Sequence, residues 1–297
     1  MTFPPGEGLI ARAPAKLNLG LWIVRKRADG YHDLVTLFTA VDLYDRLHVR
    51  LAPSRITLTT NERRLPTDER NLVVKAAMAL AEAADVSLGA EFRLEKRIPT
   101  GAGMGGGSSD AAAALLLLDR LWDTRLPRAR LARIAADLGS DVPFFLRGGL
   151  QLGRGRGTRL TLLKPQAGLE FVVVHGREPI DTGWAYSRYE RELTASTPPP
   201  SILALAEGSR LSRTTLMHLD NHLEAGLVPD VPDIAERKQL LTSLGARVAL
   251  LTGSGASVYG LFATRELARR AHLRVARAGW TADLCRSVSS GVVVEGG

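Results

Sequence analysis

A glycine-rich segment carries the residue types and spacing best suited to binding an anion. Residues 99–110 read Pro-Thr-Gly-Ala-Gly-Met-Gly-Gly-Gly-Ser-Ser-Asp, and an apolar run, Ala111 to Leu118, follows directly. Glycine lets a backbone turn its N–H groups inward and lets an anion approach without interference from Cβ atoms. We expect Ser108, Ser109 and Asp110 to start a helix whose free N–H groups and positive dipole end face this segment. The segment, called the glycine loop (residues 99–110) from here on, is therefore predicted to bind a polyphosphate.

The glycine loop departs from the commoner nucleotide-binding motifs. Gly101-x-Gly103-x-x-Gly106 satisfies the dinucleotide fingerprint, but residues 91–98 before it alternate charged and apolar side chains. The first strand of a Rossmann fold is instead buried on both faces. The sequence contains no Gly-Lys-Ser/Thr of a P-loop and neither His-Arg-Asp nor Asp-Phe-Gly of the protein kinases. A flexible linker would not run into eight consecutive Ala and Leu residues.

Two charged side chains outside the glycine loop fit phosphoryl-transfer chemistry. Residues 10–24 alternate and then become apolar, which predicts a strand with Lys16 and Asn18 on one face. Asp141 precedes Val-Pro and an apolar turn, where Asp most often caps a helix. Its alternative role is that of a general base, because a carboxylate within hydrogen-bond reach can take the proton of an attacking alcohol. If the fold brought Lys16 close to Asp141, its charge would keep Asp141 ionised and offset charge on phosphoryl oxygens.

Composition limits the class of protein. The chain of 297 residues has a formal charge of +8, but its basic residues are scattered and not interleaved with stacking aromatics, so we expect no nucleic-acid partner. The single cysteine, Cys285, excludes a disulfide framework and fits a reducing cytoplasm. The longest apolar run is far shorter than the ~20 residues of a membrane helix, and the first residues lack a signal-peptide pattern. We expect a cytoplasmic protein without a membrane partner, and the sequence leaves its oligomeric state open.

The predicted elements fall into two groups. The chain exceeds the usual size of one core, which predicts a nucleotide-binding domain over residues 1–163 and a second domain over residues 164–297. In the nucleotide-binding domain we expect strands over residues 10–24, 37–41, 47–51, 56–60 and 91–98. We expect helices over residues 72–84, from 108 onward and over 128–138. The last of these is expected to end at Gly139 in a left-handed cap. The second shows a β-α-β-β-α-β order from residue 169 to the C-terminus, which is typical of a ferredoxin-like fold.

Several motifs resemble one superfamily of small-molecule kinases. The glycine loop is similar to the phosphate loop of the GHMP kinases, the group of galactokinase, homoserine kinase, mevalonate kinase and phosphomevalonate kinase. The stretches at residues 13–20, 27–32, 138–144 and 251–256 resemble, in order and spacing, the branch of 4-diphosphocytidyl-2-C-methyl-D-erythritol kinases. The similarity is weakest between Ser187 and Arg213. The resemblance implies an α+β, two-domain GHMP-kinase architecture with a ribosomal-S5-like N-terminal domain, a ferredoxin-like C-terminal domain and a site between them.

The resemblance also implies a reaction and the residues that carry it. The reaction is ATP-dependent phosphorylation of the 2-hydroxyl of 4-diphosphocytidyl-2-C-methyl-D-erythritol, a small-molecule substrate, with ATP and Mg²⁺ as cofactors. The implied catalytic residues are Lys16 and Asp141. The implied ATP-binding residues are Asn71, Lys96, Pro99, Thr100, Gly101, Ala102, Gly103, Met104, Gly105, Gly106, Gly107, Ser108 and Ser109. The implied substrate-binding residues are Lys16, Asn18, Tyr31, His32, Asp141, Thr182 and Tyr186.

The implied roles differ within these sets. Tyr31 and Tyr186 would stack on cytosine, and His32 would read its polar edge. Ser108 or Ser109 is a candidate Mg²⁺ ligand. A kinase of another GHMP branch would not need the paired aromatics, and a non-catalytic sensor on this fold would be expected to lose its lysine or its aspartate.

Structural alternatives stay open for several of these residues. Asn71 can simply cap a helix, and Lys96 can be a solvent-facing charge. Without the resemblance, Tyr31 and His32 would be ordinary turn or strand residues and Tyr186 a core aromatic.

Two other polar segments are left without a role. A hairpin signature at residues 148–157 contains Arg154 and Arg156, and the sequence does not assign them to phosphate. Residues 220–224 depart from the family's Asn-Asp-Leu-Glu segment at His222, which weakens a role for them.

Overall fold

The computed structural model describes residues 8–164, 168–189 and 197–295. The strands are β1 (Leu9–Lys26), β2 (His32–Ala52), β3 (Ile56–Thr60), β4 (Gly89–Glu95), β5 (Leu150–Gly155), β6 (Arg159–Leu162), β7 (Glu170–Val174), β8 (Val248–Leu251), β9 (Val258–Phe262), β10 (Ala282–Val288) and β11 (Val293–Glu295). The helices are α1 (Leu72–Ala84), α2 (Gly106–Leu121), α3 (Arg128–Leu138), α4 (Val142–Phe145), α5 (Thr182–Tyr189), α6 (Pro200–Leu203), α7 (Arg213–Met217), α8 (Leu223–Leu227), α9 (Asp233–Ser243) and α10 (Arg265–Arg277). No helix in these ranges is long and apolar enough to cross a membrane.

The N-terminal part is built around two long antiparallel strands. β1 pairs with β2 along most of its length, and β2 also pairs with β4 and β5. Helix α2 packs against β1, β2, α1, α3 and α4. Its run Ala111 to Leu115 is fully buried, as are Leu117 and Leu118. An eight-residue segment without a polar face needs such surroundings, since each buried leucine contributes roughly 1.5–3 kcal/mol. The predicted buried helix behind the glycine loop is therefore confirmed.

The C-terminal part has the predicted β-α-β-β-α-β order. Short helices α5 to α8 lie between β7 and α9, and apart from them the elements in chain order are β7, α9, β8, β9, α10 and β10. The strands lie in the order β10-β7-β9-β8, and all neighbouring strands are antiparallel. Helices α9 and α10 contact each other and these strands. This is the ferredoxin-like arrangement that the sequence predicts. β10 also pairs with β2 through Ser287↔Val41 and Val288↔Ala40, which joins the two groups of strands.

Three expected boundaries are wrong. Residues 37–41 and 47–51 belong to one strand, β2, because Arg46 still pairs with Glu95 across the ladder. Helix α2 begins at Gly106 and not at Ser108, since the backbone becomes helical directly after the left-handed Gly105 (φ 70°). Gly139 does not form a left-handed cap at the end of α3; its φ of 170° is extended, and the chain turns straight into α4. The division of the chain at residues 163/164 stays a prediction.

Candidate active site

One cavity of about 810 Å³ collects the predicted site residues. The glycine loop, β1, the start of β2, α5 and the turn at residues 253–255 all contribute to its wall. Every residue predicted to bind ATP or substrate, or to take part in catalysis, lines it except Ser109, whose side chain is completely buried behind the loop. Segments from both halves of the sequence therefore meet at a single site.

The path of the glycine loop depends on its glycines. Gly101, Gly103 and Gly105 have φ values of 69°, 73° and 70°, in the left-handed region that side chains disfavour. A Cβ at Gly103 would lie 2.3 Å from the Thr252 carbonyl oxygen. The backbone N–H of Lys16 donates to the Met104 carbonyl oxygen at 2.9 Å, which fixes the loop against β1.

The loop presents backbone donors to the cavity. Between residues 100 and 108, no N–H donates to another atom of the described chain, and the first bond of the helix runs from Ser109 to the Gly105 carbonyl oxygen at 2.9 Å. These donors lie at the N-terminus of α2, a helix of 16 residues, where its dipole is positive. Free N–H groups at a helix N-terminus bind phosphate. The geometry therefore fits the predicted polyphosphate.

Lys16 and Asp141 form a charged pair beside the loop. The Lys16 Nζ lies 3.4 Å from Asp141 Oδ2, and the two side chains are 4% and 33% exposed. Lys16 also donates to Asn18 Oδ1. The Asn18 amide is held in turn, because its Nδ2 donates to Thr36 Oγ1 at 2.7 Å. The predicted common face of Lys16 and Asn18 is confirmed, and the ammonium group is held between Asn18 on β1 and Asp141 in the turn before α4.

The position of Asp141 excludes one of its two predicted roles. Asp141 directly precedes α4, but its side chain makes no capping hydrogen bond to that helix. Within the described part of the chain, the ion pair with Lys16 is the only hydrogen bond or ion pair that the Asp141 side chain makes. The capping alternative is therefore wrong, and one-third exposure leaves the carboxylate able to accept a hydrogen bond from a substrate hydroxyl.

Aromatic side chains lie next to this pair. His32 and Tyr186 are stacked, with ring centroids 5.1 Å apart and an interplanar angle of 21°. Burial raises the pKa of Tyr186, and the nearby charge of Asp141 raises it further. Tyr31 is half exposed in the same cavity. Thr182, at the start of α5, lies 3.0 Å from the Ser254 hydroxyl. The group offers flat apolar faces with polar edges.

A buried ion-pair cluster beneath the glycine loop was not predicted. Lys96 pairs with Asp45 and, at 2.8 Å, with Asp110. Asp45 also accepts the N–H groups of Arg97 and Ile98 at 2.6 and 2.9 Å, so it holds the chain that enters the loop. The solvent-facing alternative for Lys96 is therefore wrong.

Burial in this cluster works against the charge of one carboxyl group. Burial and the neighbouring Asp45 raise the pKa of Asp110 to about 8, although Lys96 opposes them. Burial also works against the charge of Lys96, but attraction to Asp110 and Asp45 outweighs it and raises its pKa. An acidic residue directly before a buried apolar run needs a buried partner, and that pattern is the one signal that points to this cluster.

The segment at residues 220–224 positions the turn opposite the loop. The Asn221 side-chain amide donates to the carbonyl oxygens of Leu251 and Gly253, each at 2.8 Å. Glu224 accepts the N–H of Leu251 at 2.6 Å. His222 does not disturb this arrangement, since its Nδ1 accepts the backbone N–H of Ile23 at 3.0 Å. Sequence reasoning discounted a segment that supports the site.

Asn71 caps α1 and also lines the cavity. Its side-chain oxygen accepts the N–H of Val73 at 2.9 Å and so caps α1. Its Nδ2 donates to the Pro66 carbonyl oxygen at 2.8 Å. The same residue lines the cavity. Capping is confirmed, and a contact with nucleotide stays a prediction.

Comparisons with known proteins agree with this geometry. The family model described as the GHMP kinases N terminal domain matches residues 71–149, and the one described as GHMP kinases C terminal matches residues 202–280. The chain is 40% identical over 254 residues to a 4-diphosphocytidyl-2-C-methyl-D-erythritol kinase of Chlorobium chlorochromatii, covering 85% of this chain and 88% of the relative. It is 40% identical over 270 residues to the protein of that name in Pelotomaculum thermopropionicum, with 91% and 94% covered.

The chain belongs to the 4-diphosphocytidyl-2-C-methyl-D-erythritol kinase family. The crystal structure of a 4-(cytidine 5'-diphospho)-2C-methyl-D-erythritol kinase matches it with a TM-score of 0.77 at 35% identity, covering 97% of this chain and all of the other. The expected kinase family and its α+β, two-domain architecture are confirmed. Two of the matched motifs, the glycine loop and the turn at residues 253–255, form facing walls of this cavity.

Proposed function

We propose that this protein transfers the γ-phosphoryl group of ATP to the 2-hydroxyl of 4-diphosphocytidyl-2-C-methyl-D-erythritol, in the non-mevalonate route to isoprenoid precursors. Membership of the kinase family supports this reaction. The observation that carries the proposal is the Lys16–Asp141 pair, which shares one cavity with the glycine loop and with the aromatic group of Tyr31, His32 and Tyr186. The cavity therefore offers N–H donors for phosphate, a carboxylate that can act as general base, and flat ring surfaces for a nucleobase.

The nucleotide is proposed to lie along the glycine loop. Free N–H groups at the start of α2 would bind its phosphate oxygens, and Asn71 and Lys96 would line its far end. Mg²⁺, when bound there, would neutralise charge on the phosphate oxygens. Ser108 lines the cavity and Ser109 does not, so Ser108 is the better placed metal ligand. The described residues contain no group of three or more His, Cys, Asp or Glu side chains that could hold a metal ion.

Asp141 is proposed to act on the substrate hydroxyl. As the hydroxyl oxygen bonds to the γ-phosphorus, the bond from that phosphorus to the bridging oxygen of ADP breaks, and the hydroxyl proton passes to Asp141. Lys16 faces the same place and offsets the charge that builds on the phosphoryl oxygens. Both side chains are held in position before substrate binds. The conformational entropy of placing them is therefore lost during folding and not during the reaction.

The aromatic group is proposed to select the cytidyl end of the substrate. Stacking of a base on an aromatic ring contributes about 1–3 kcal/mol. Tyr186 and Tyr31 offer such rings, and the His32 edge together with Asn18 and Thr182 offers polar contacts. These contacts would fix the erythritol portion so that its 2-hydroxyl faces Asp141.

The proposal also covers the cellular location, the domain division and the partners of the protein. Cys285 is buried, and burial raises the pKa of its thiol, which suits an unreactive residue in a reducing compartment. We place the protein in the cytoplasm, divide it at residues 163/164, and assign it no nucleic-acid or membrane partner.

Release of ADP from MgATP with four acceptors tests the substrate assignment. The acceptors are the cytidyl diphosphate of methylerythritol, homoserine, mevalonate and phosphomevalonate. We expect kcat/KM for the cytidyl compound to exceed the others by about 10³-fold or more, because only this acceptor has a base to fill the aromatic side of the cavity. Comparable turnover of another acceptor would contradict the assignment, and no turnover of any would favour a sensor.

A further inference from the structure

Four Lys or Arg side chains line the cavity, and three of them are paired with carboxylates. The pairs are Lys16 with Asp141, Arg70 with Asp68, and Lys96 with Asp45 and Asp110. The fourth, Arg156, makes no side-chain hydrogen bond or ion pair with any residue in the ranges 8–164, 168–189 and 197–295. Its five N–H donors are therefore available to a ligand.

The guanidinium of Arg156 is nevertheless held in place. Its Cζ lies 3.6 Å from the centroid of the Tyr31 ring. A guanidinium that stacks on an aromatic face uses its π face, and its N–H groups point outward around the edge. Gly155 and Gly157 flank Arg156 with φ values of 68° and 90°, which lets the tight connection between β5 and β6 present the side chain at the cavity mouth. A cation is thus positioned there without being neutralised.

The nearest carboxylate is engaged elsewhere. Asp29 is close enough to interact electrostatically with Arg156. Its two oxygens, however, accept hydrogen bonds from Arg27, at 3.0 Å from Nε and 2.8 Å from Nη2. These bonds lower the pKa of Asp29, with the side-chain bond to Arg27 as the largest cause. Asp29 therefore stays ionised and paired with Arg27.

We propose that Arg156 binds the diphosphate of the cytidyl substrate, with Tyr31 as the platform that orients it. This inference rests on the proposed function. A cytidyl diphosphate carries negative charge next to its sugar, at the end of the molecule that the aromatic group receives. Arg pairs with phosphate oxygens through two parallel N–H bonds, which gives both affinity and orientation. Lys16 and the glycine loop would then serve the transferred group and the ATP phosphates, and Arg156 the phosphates of the acceptor.

Titration calorimetry of the full-length protein with cytidine, CMP and CDP tests this role. In Arg156→Gln we expect affinity for CDP to fall about 10- to 100-fold, as for loss of hydrogen bonds to a charged group, and affinity for cytidine to change less than about threefold. Arg156→Lys keeps the charge but not the planar fork, so its loss for CDP should be intermediate. Arg154→Gln is the matched control, because Arg154 lies two residues earlier and does not line the cavity.

Steady-state kinetics separates this role from the alternatives. Arg156→Gln should raise KM for the cytidyl substrate by a similar factor and leave kcat and the KM for ATP within about threefold. The proposal is overturned if Arg156→Gln behaves like Arg154→Gln, if cytidine loses as much affinity as CDP, or if the KM for ATP rises instead. A wild-type protein that binds no cytidine compound and turns over none would overturn the proposed function itself.

Discussion

We expect Asp141→Asn to lower kcat by about 10²- to 10⁴-fold, equivalent to about 3–5 kcal/mol of transition-state free energy. Asn has nearly the same shape as Asp and can still accept a hydrogen bond, but it cannot take the proton of the substrate hydroxyl. The change also removes the negative partner of Lys16, which lies 3.4 Å away. Because the lost interaction is made mainly in the transition state, KM for both substrates should stay within a few-fold.

Steady-state rates of ADP release and thermal melting of the variant measure this effect. Asp141 is partly exposed and makes no helix cap, so the melting temperature should move by no more than a few degrees. Asp137→Asn is the matched control, since Asp137 is an exposed residue of α3 that does not line the cavity. A kcat for Asp141→Asn within threefold of wild type would exclude Asp141 as the base.

Lys16→Met should lower kcat by about 10²- to 10³-fold. Met fills a similar volume but carries no charge, so the developing charge on the phosphoryl oxygens and the carboxylate of Asp141 both lose their cation. The effect is large because Lys16 is only 4% exposed, where water screens charges weakly. Lys16→Arg should not rescue activity, because a Cβ at Gly253 would lie only 3.2 Å from the Lys16 Nζ, and the larger guanidinium has little room there.

The same assay with Lys75→Met provides the control. Lys75 lies on an exposed face of α1, away from the cavity, and its replacement should leave kcat unchanged within twofold. If Lys16→Met kept wild-type kcat and raised only the KM for ATP, Lys16 would contribute to uniform binding of the nucleotide and not to the transition state.

The glycine loop and α2 are predictable from the sequence because they depend on local rules. Glycines at positions 101, 103 and 105 allow left-handed backbone, and a following run of Ala and Leu can only be stable inside a core. The ferredoxin-like order is predictable for a similar reason, since alternating strand and helix patterns of this length have few compact arrangements. Within the glycine loop and α2, the misplaced feature is the start of the helix, by two residues.

The continuity of β2 was not predictable in the same way. The stretch from Asp42 to Arg46 is rich in charges, which favours a turn between two short strands. In the structure, Asp45 turns its side chain inward to Lys96 and two backbone N–H groups and becomes fully buried. The pairing of β2 with β1 shifts register at Asp42 and Leu43 but continues on both sides of them. Hydrophobic periodicity records which residues are apolar, and it carries no information on which polar residues find a buried partner.

Contacts between distant segments limited the prediction of the site. Asp45 and Lys96 are 51 residues apart, and Asn221 lies 30 residues from the Leu251 carbonyl that it binds. The assembly of Lys16, Asp141 and Tyr186 into one cavity was expected only through the kinase resemblance. The stack of Arg156 on Tyr31 was predictable neither from the sequence pattern nor from the kinase resemblance. It depends on the actual position of the connection between β5 and β6.

Identification of the product by ³¹P NMR tests the central claim most directly. Carbon 2 of the acceptor carries a methyl group and no hydrogen, so a phosphate on its hydroxyl has no hydrogen three bonds away. After incubation of the wild-type protein with MgATP and the cytidyl substrate, we predict one new phosphomonoester signal for each ADP formed, and this signal should be a singlet in the proton-coupled spectrum. A doublet or triplet would place the phosphate on another hydroxyl, and ADP without a phosphomonoester would mean that ATP is hydrolysed; either result would contradict the account.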